Sequence, residues 1–140
     1  MSPPYVDIVS EAEDLTAAPR SAAALAAGWR SACDCCDTSA LVSLYEDEAL
    51  LVAPTGEVLE GRRAMRETLS ALVAVPAPYR RDTRRSLEAD GIALFVDRWA
   101  QGEPNTPVAH TTPDALGLMV ARRQPNGAWL IAIDVPHGTI

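Results

Sequence analysis

The last apolar stretch of the chain, AWLIAIDVPHG at 128–138, reads as a strand in every position but one: Asp134 stands in its middle. A carboxylate among small apolar neighbours is costly unless paired, and burial raises its pKa unless a cation offsets it. Such a residue suits proton transfer as a general acid or base, and it suits a buried structural ion pair equally well. Trp29 and Cys33 lie four residues apart on a helix-forming segment and share a face, where an indole can stack on a ligand or donate its N–H, or simply fill a core. The two histidines, His110 and His137, each border a proline-containing loop near a strand end. His137 follows Asp134 by three residues and can titrate near neutral pH at the mouth of a pocket.

Other chemistries are poorly supplied. All twelve basic residues are arginine, so a lysine Schiff base is excluded. The glycines fall singly in turns, with no phosphate-cradling loop, and no nucleotide cofactor is expected. The cysteines Cys33, Cys35 and Cys36 form the run CDCC, whose spacing on a helix end sends the thiols in diverging directions rather than around a metal, so no metal is expected. Their odd number fits a reducing compartment, and a cytoplasmic location is expected. A net charge of −7 and a basic cluster, RRDTRR at 80–85, that acids interrupt and flank leave no footprint for nucleic acid. Arg80, Arg81, Arg84 and Arg85 read as solvated or paired with Asp82, Glu88 and Asp90. No apolar run approaches the ~20 residues of a bilayer span, and the acidic, proline-containing N-terminus is unlike a signal peptide.

The elements that position these residues follow from periodicity. At 140 residues, nearly half of them apolar, the chain is expected to form one domain over 21–140 after a loosely ordered leader at 1–20. Ser21 can cap a first helix through SAAALAAGWRSAC, and Asp37 or Thr38 a second that carries Leu41, Leu44 and Tyr45. EALLVAP reads as a strand, TGEVLEG as a turn with a short return, and RRAMRETLSALVAV as a helix with Ala64, Met65, Thr68, Leu69 and Leu72 at helical spacing. Strands near 80–89, 92–101 and 114–124 precede the last one. Helices first and antiparallel strands afterwards predict an α+β fold.

Strict alternation puts Leu130, Ala132 and Asp134 on one face of the last strand and Trp129, Ile131, Ile133 and Val135 on the other. Ala53, Ala100, Ala115, Gly117, Ala121 and Ala132 would line a face with volume to spare for a ligand. The bulky face needs a cover, and a second copy of the chain is the expected one. In ALFVDRWAQ both faces are mixed, and parity does not choose between Arg98 and Asp97.

The order of elements, with SLYEDEALLVAPTGEVLEGRRAMRETL, ALFVDRW and RRQPNGAWLIAIDVPHG, resembles the nuclear-transport-factor-2-like superfamily, most of all its SnoaL-like bacterial members. The resemblance covers roughly 21–138. It implies a cone: a curved sheet, of the cystatin-like α+β kind, wrapped around the N-terminal helices with a pocket between them, and a homodimer through the convex face. Similarity to limonene epoxide hydrolase places a catalytic aspartate at Asp134 and its partnering arginine at Arg98, while the second aspartate of that triad falls on Ala100. Against the ketosteroid isomerase template, the base falls on Ala53, the oxyanion-hole acid on Met119 and the tyrosine donor on Trp29.

These readings converge on a cofactor-free enzyme of cyclase, isomerase or hydratase/hydrolase type acting on a small hydrophobic metabolite, plausibly in polyketide or other secondary metabolism. Asp134 and Arg98 are the expected catalytic pair, and Trp29, Cys33, Ala53, Leu69, Met119 and His137 the expected substrate contacts. The losses against both templates leave a second reading open, a non-catalytic dimeric protein that holds a small molecule in the same pocket.

Overall fold

The computed structural model describes residues 18–74, 79–101 and 116–136, with the side chains of 79, 80 and 99–101 left aside. Most of the expected leader, His110, His137, Ala115 and the side chains of Trp99 and Ala100 therefore lie outside the described residues. Helix α1 spans Ala22–Asp34 and begins where the Ser21 side chain accepts a hydrogen bond from the Ala24 N–H at 3.0 Å. The short helix α2, Thr38–Val42, is capped in the same way by Asp37. It stops earlier than the sequence pattern predicts: Tyr45 leaves the helix and opens strand β1, Tyr45–Val52. Strand β2 (Val58–Glu60) and helix α3 (Arg62–Val73) follow. The remaining strands are β3 (Tyr79–Ala89), β4 (Ile92–Gln101), β5 (Leu116–Arg123) and β6 (Trp129–Val135).

The six strands form one sheet in the order β2-β1-β6-β5-β4-β3, antiparallel except where β1 and β6 run parallel. The α+β expectation holds. Helices α1 and α3 supply Leu25, Trp29, Met65 and Leu69 to a core that also contains Ala93, Phe95, Met119, Ala121 and Ile131 from the sheet. One face of the sheet is therefore the inner one.

Two bulges decide which residues reach that face. In β6, Ala121 pairs with Ile131 and Val120 with Ile133, so Ala132 is an extra residue and alternation changes phase across it. Trp129 and Ile131 before the bulge and Asp134 after it are all buried, whereas Ile133 is exposed. Strict alternation had Trp129 and Ile131 facing outward to a partner; the bulge makes them core. In β3, Thr83 pairs with Asp97 and Arg85 with Val96, which leaves Arg84 extra. That phase change carries Arg81 to the inner face, buried, while Arg84 and Arg85 remain exposed. Bulges also bend strands, and the curl of this sheet follows from them.

Candidate functional site

On the inner face, registers align Asp97 with Gly117, Phe95 with Met119, and Met119 with Asp134 across β4, β5 and β6. Arg81 enters from β3. A flat sheet would hold β3 and β6 about 14 Å apart, three strand spacings. In the curled sheet the Arg81 side chain reaches both aspartates. Its Nε donates to Asp97 Oδ2 at 2.6 Å, its Nη2 to Asp134 Oδ1 at 2.8 Å and its Nη1 to Asp134 Oδ2 at 3.3 Å. All three side chains are essentially sealed from solvent.

Two aromatic residues complete the cluster. The Tyr45 hydroxyl donates to Asp134 Oδ2 at 2.7 Å and accepts from Trp29 Nε1 at 3.0 Å. The Arg81 guanidinium lies over the Trp29 ring, 4.9 Å from its centroid, a cation–π contact strengthened by burial. A single chain of interactions thus runs from Trp29 through Tyr45 to Asp134, on to Arg81 and out to Asp97.

The environment sets the charges. Burial pushes the Tyr45 phenol well above its ordinary pKa, and the neighbouring Asp134 charge adds to the effect, so Tyr45 serves as a neutral donor. Burial works against the Arg81 cation, but the two carboxylates outweigh it and hold the guanidinium more firmly protonated than usual. Cys33 is half-buried and near enough to feel Arg81 and Asp134; burial pushes its thiol up to about 12, which keeps it un-ionised and unreactive.

The aspartates differ in what is left over. Asp134 accepts from Tyr45 and, bidentately, from Arg81, and it is 0% exposed. Asp97 uses Oδ2 for Arg81; among the described residues its Oδ1, fully buried, has no hydrogen-bond partner. Asp97 also lines a cavity with about 10 Å³ of free room, between Trp29 of α1 and Thr83, Phe95 and Met119 of the sheet, with exposed Arg30 at the rim.

Several sequence expectations are relocated. Arg98 does not partner Asp134: it pairs in register with Leu116 and Asp82 on the outer face, and Arg81 takes its place. Trp29 and Met119 do border the cavity, whereas Ala53 and Leu69 are buried elsewhere in the core. From the sequence, Arg81 reads as a solvated or surface-paired arginine, Tyr45 as a residue of the second helix, and Asp97 as one of two choices that parity leaves open. Asp97 carried a signal, being an acid that alternates with Phe95 on one face of a strand; Arg81 was masked by its place among four arginines. Ala100 has no acid, yet a second aspartate arrives beside the arginine from Asp97. No group of three or more potential metal ligands gathers among the described residues, and no helix among them is long and apolar enough to cross a membrane.

No family model matches the chain, and no curated protein matches its sequence. Solved structures do match its fold. A candidate calcium/calmodulin-dependent protein kinase type II association domain from Thiobacillus denitrificans superposes with a TM-score of 0.67 at 13% identity, covering 86% of this chain and 97% of that one. A candidate polyketide cyclase from Sinorhizobium meliloti gives 0.55 at 18% identity, covering 79% and 91%. A candidate dehydratase of the nuclear-transport-factor-2-like family from Streptomyces avermitilis gives 0.58 at 17%, covering 79% and 88%. The fold is that of solved structures described as nuclear-transport-factor-2-like. A fold shared by cyclases, dehydratases and association domains leaves function to be argued from the site.

Proposed function

We propose that the protein is a cofactor-free acid–base enzyme acting on a small hydrophobic molecule, in a cyclisation, isomerisation or hydration, with Asp97 rather than Asp134 handling the proton. The observation that carries this reading is the buried, unpartnered Asp97 Oδ1, on a carboxylate that lines the cavity and whose other oxygen Arg81 holds fixed. A base needs a free lone pair aimed at the proton it takes. Asp134 has both oxygens engaged, by Tyr45 and Arg81, and with them it positions Asp97. In turnover, Asp97 Oδ1 takes a proton from the substrate or from a water beside it and returns one to the product, so no redox partner is needed.

The test is turnover of a panel of small apolar epoxides and enolisable ketones, the latter followed by proton exchange in deuterated water. Asp97→Asn is expected to lower the rate by roughly 10²–10⁴ on any accepted member. An unchanged rate in that variant removes the proposal. A second reading, a binding protein without turnover, is favoured by the small size of the cavity and by the otherwise complete hydrogen bonding of the cluster; no catalysis of any panel member with retained ligand binding supports it.

The reading includes a homodimer formed through the outer face. Leu87, Ile92, Leu116 and Ile133 are exposed there beside half-buried Leu94, Val96, Leu118 and Val120, an apolar surface of the kind that partners cover. Sedimentation equilibrium at micromolar concentration should return twice the chain mass, and a monomer would remove this part of the proposal.

A further inference from the structure

Asp97 is closed off in this structure. Its side chain is 2% exposed, its Oδ1 is buried, and the cavity it lines has only about 10 Å³ of free room. Chemistry at Asp97, the reading on which this inference rests, therefore needs a motion that opens one wall. The sheet residues that line the cavity stand on β3, β4 and β5, which are joined by consecutive backbone ladders, so parting them would break several hydrogen bonds at once. Among the described lining residues, Ala26, Trp29 and Arg30 alone lie outside the sheet, and all three belong to α1. The helix is the wall that can move.

The two halves of α1 are held differently. At its start, the Trp129 N–H donates to Pro19 O at 2.7 Å, Arg20 lies against Gly127, and Ser21 caps the first turn. Past its end, the backbone turns at Cys36 with φ 53°, a left-handed conformation that glycine usually fills and that strains a residue with a Cβ. Between these points stands Gly28, inside the helix and one residue before Trp29. No close approach requires a glycine there: among the described residues an added Cβ would meet only Leu44 methyl groups, at 3.8 and 3.9 Å, which is ordinary contact. Glycine inside a helix weakens it, by a factor of roughly two to five in an equilibrium constant relative to alanine. The weak point falls where the pinned half meets the half that carries Trp29. We propose that residues 28–36 form a gate: the chain yields at Gly28 and Cys36, Trp29 leaves Tyr45 and the face of Arg81, and Asp97 meets solvent, while the sheet and the first half of α1 keep their places. Opening breaks the Trp29 hydrogen bond and its cation–π contact, so the open form is a minor state.

Deuterium exchange of the Trp29 indole N–H reads the gate directly, because that proton is held by Tyr45 in the closed form. Its resonance is identified by its loss in Trp29→Phe. In zero and low urea, exchange should run at least roughly tenfold faster than global unfolding allows and should hardly depend on urea, the mark of a local opening. Gly28→Ala should slow it roughly two- to fivefold. Ala23→Gly, at an exposed position in the pinned half, should leave it unchanged while lowering global stability by a similar factor. Exchange that follows global unfolding in its urea dependence overturns the inference. So does exchange indifferent to Gly28→Ala, or quickened by Ala23→Gly as much as Gly28→Ala slows it. A protein whose turnover collapses in Asp97→Asn but whose Trp29 exchanges through global unfolding alone keeps the proposed function and loses the gate; one with the local opening and no loss of turnover in Asp97→Asn does the reverse.

Discussion

Arg81 and Arg122 each bind a carboxylate bidentately, on opposite faces of one sheet. Arg122 donates to Glu46 at 2.8 and 3.1 Å, and Gln124 donates to the same carboxylate at 2.7 Å. Partial burial pushes the Glu46 carboxyl up, but the hydrogen bonds from Arg122 and Gln124, with the Arg122 charge, together outweigh it and hold it below its ordinary value. The Arg122 side chain is 54% exposed, against 3% for Arg81. The bond lengths are alike; the surroundings differ. Water solvates the outer pair whether or not its partner is present, so little is lost when one member goes. The inner cluster is sealed from bulk solvent, and each charge depends on its partners.

That contrast can be broken by one series of urea unfolding curves. Arg81→Met should cost the most, about 3–5 kcal/mol, because two buried carboxylates lose their cation. Tyr45→Phe should follow at about 1–3 kcal/mol, since Trp29 Nε1 loses its acceptor and Asp134 a donor. Arg122→Met should cost about 1 kcal/mol or less and fade with added salt. Equal costs for the two arginine variants would show that burial is not what separates them.

The pH dependence sharpens the same comparison. Tyr45 keeps its proton in the folded chain to well above pH 10, while in the unfolded chain it ionises near its ordinary value. The unfolded state therefore gains by deprotonation first, and stability should fall as pH rises beyond about 10. In Tyr45→Phe that part of the alkaline loss should be absent, as measured by the difference between unfolding free energies at pH 9 and 11. An identical alkaline slope in both proteins would contradict the buried phenol.

Much of the fold was legible because it rests on local signals. Ser21 and Asp37 cap helices, Met65 and Leu69 recur at helical spacing, and the strands lie where β-forming runs end in turns. The inner face of small residues was visible in the alternation of Gly117, Met119 and Ala121, and Asp134 was placed on the inner side. The site was less legible for two physical reasons. Bulges at Ala132 and Arg84 change the phase of alternation without a glycine or proline to announce them, which displaced Trp129 and Ile131 and left Arg81 among surface arginines. Arg81 and Asp134 are also 53 residues apart, and only the curl of the sheet joins them. The resemblance to limonene epoxide hydrolase pointed to Arg98 on β4, whereas the cation that meets Asp134 lies on β3.

The division of labour between the two aspartates is the claim on which the account depends, and comparing the stabilities of Asp97→Asn and Asp134→Asn tests it without knowledge of any substrate. Asp134→Asn places an NH2 group against the Arg81 and Tyr45 donors and should cost about 3 kcal/mol or more, whereas Asp97→Asn keeps an oxygen for Arg81 Nε and relieves one surplus negative charge, so it should be neutral or stabilising. If Asp97→Asn destabilises the protein as much as Asp134→Asn does, Asp97 is one more structural member of the cluster and the account is contradicted.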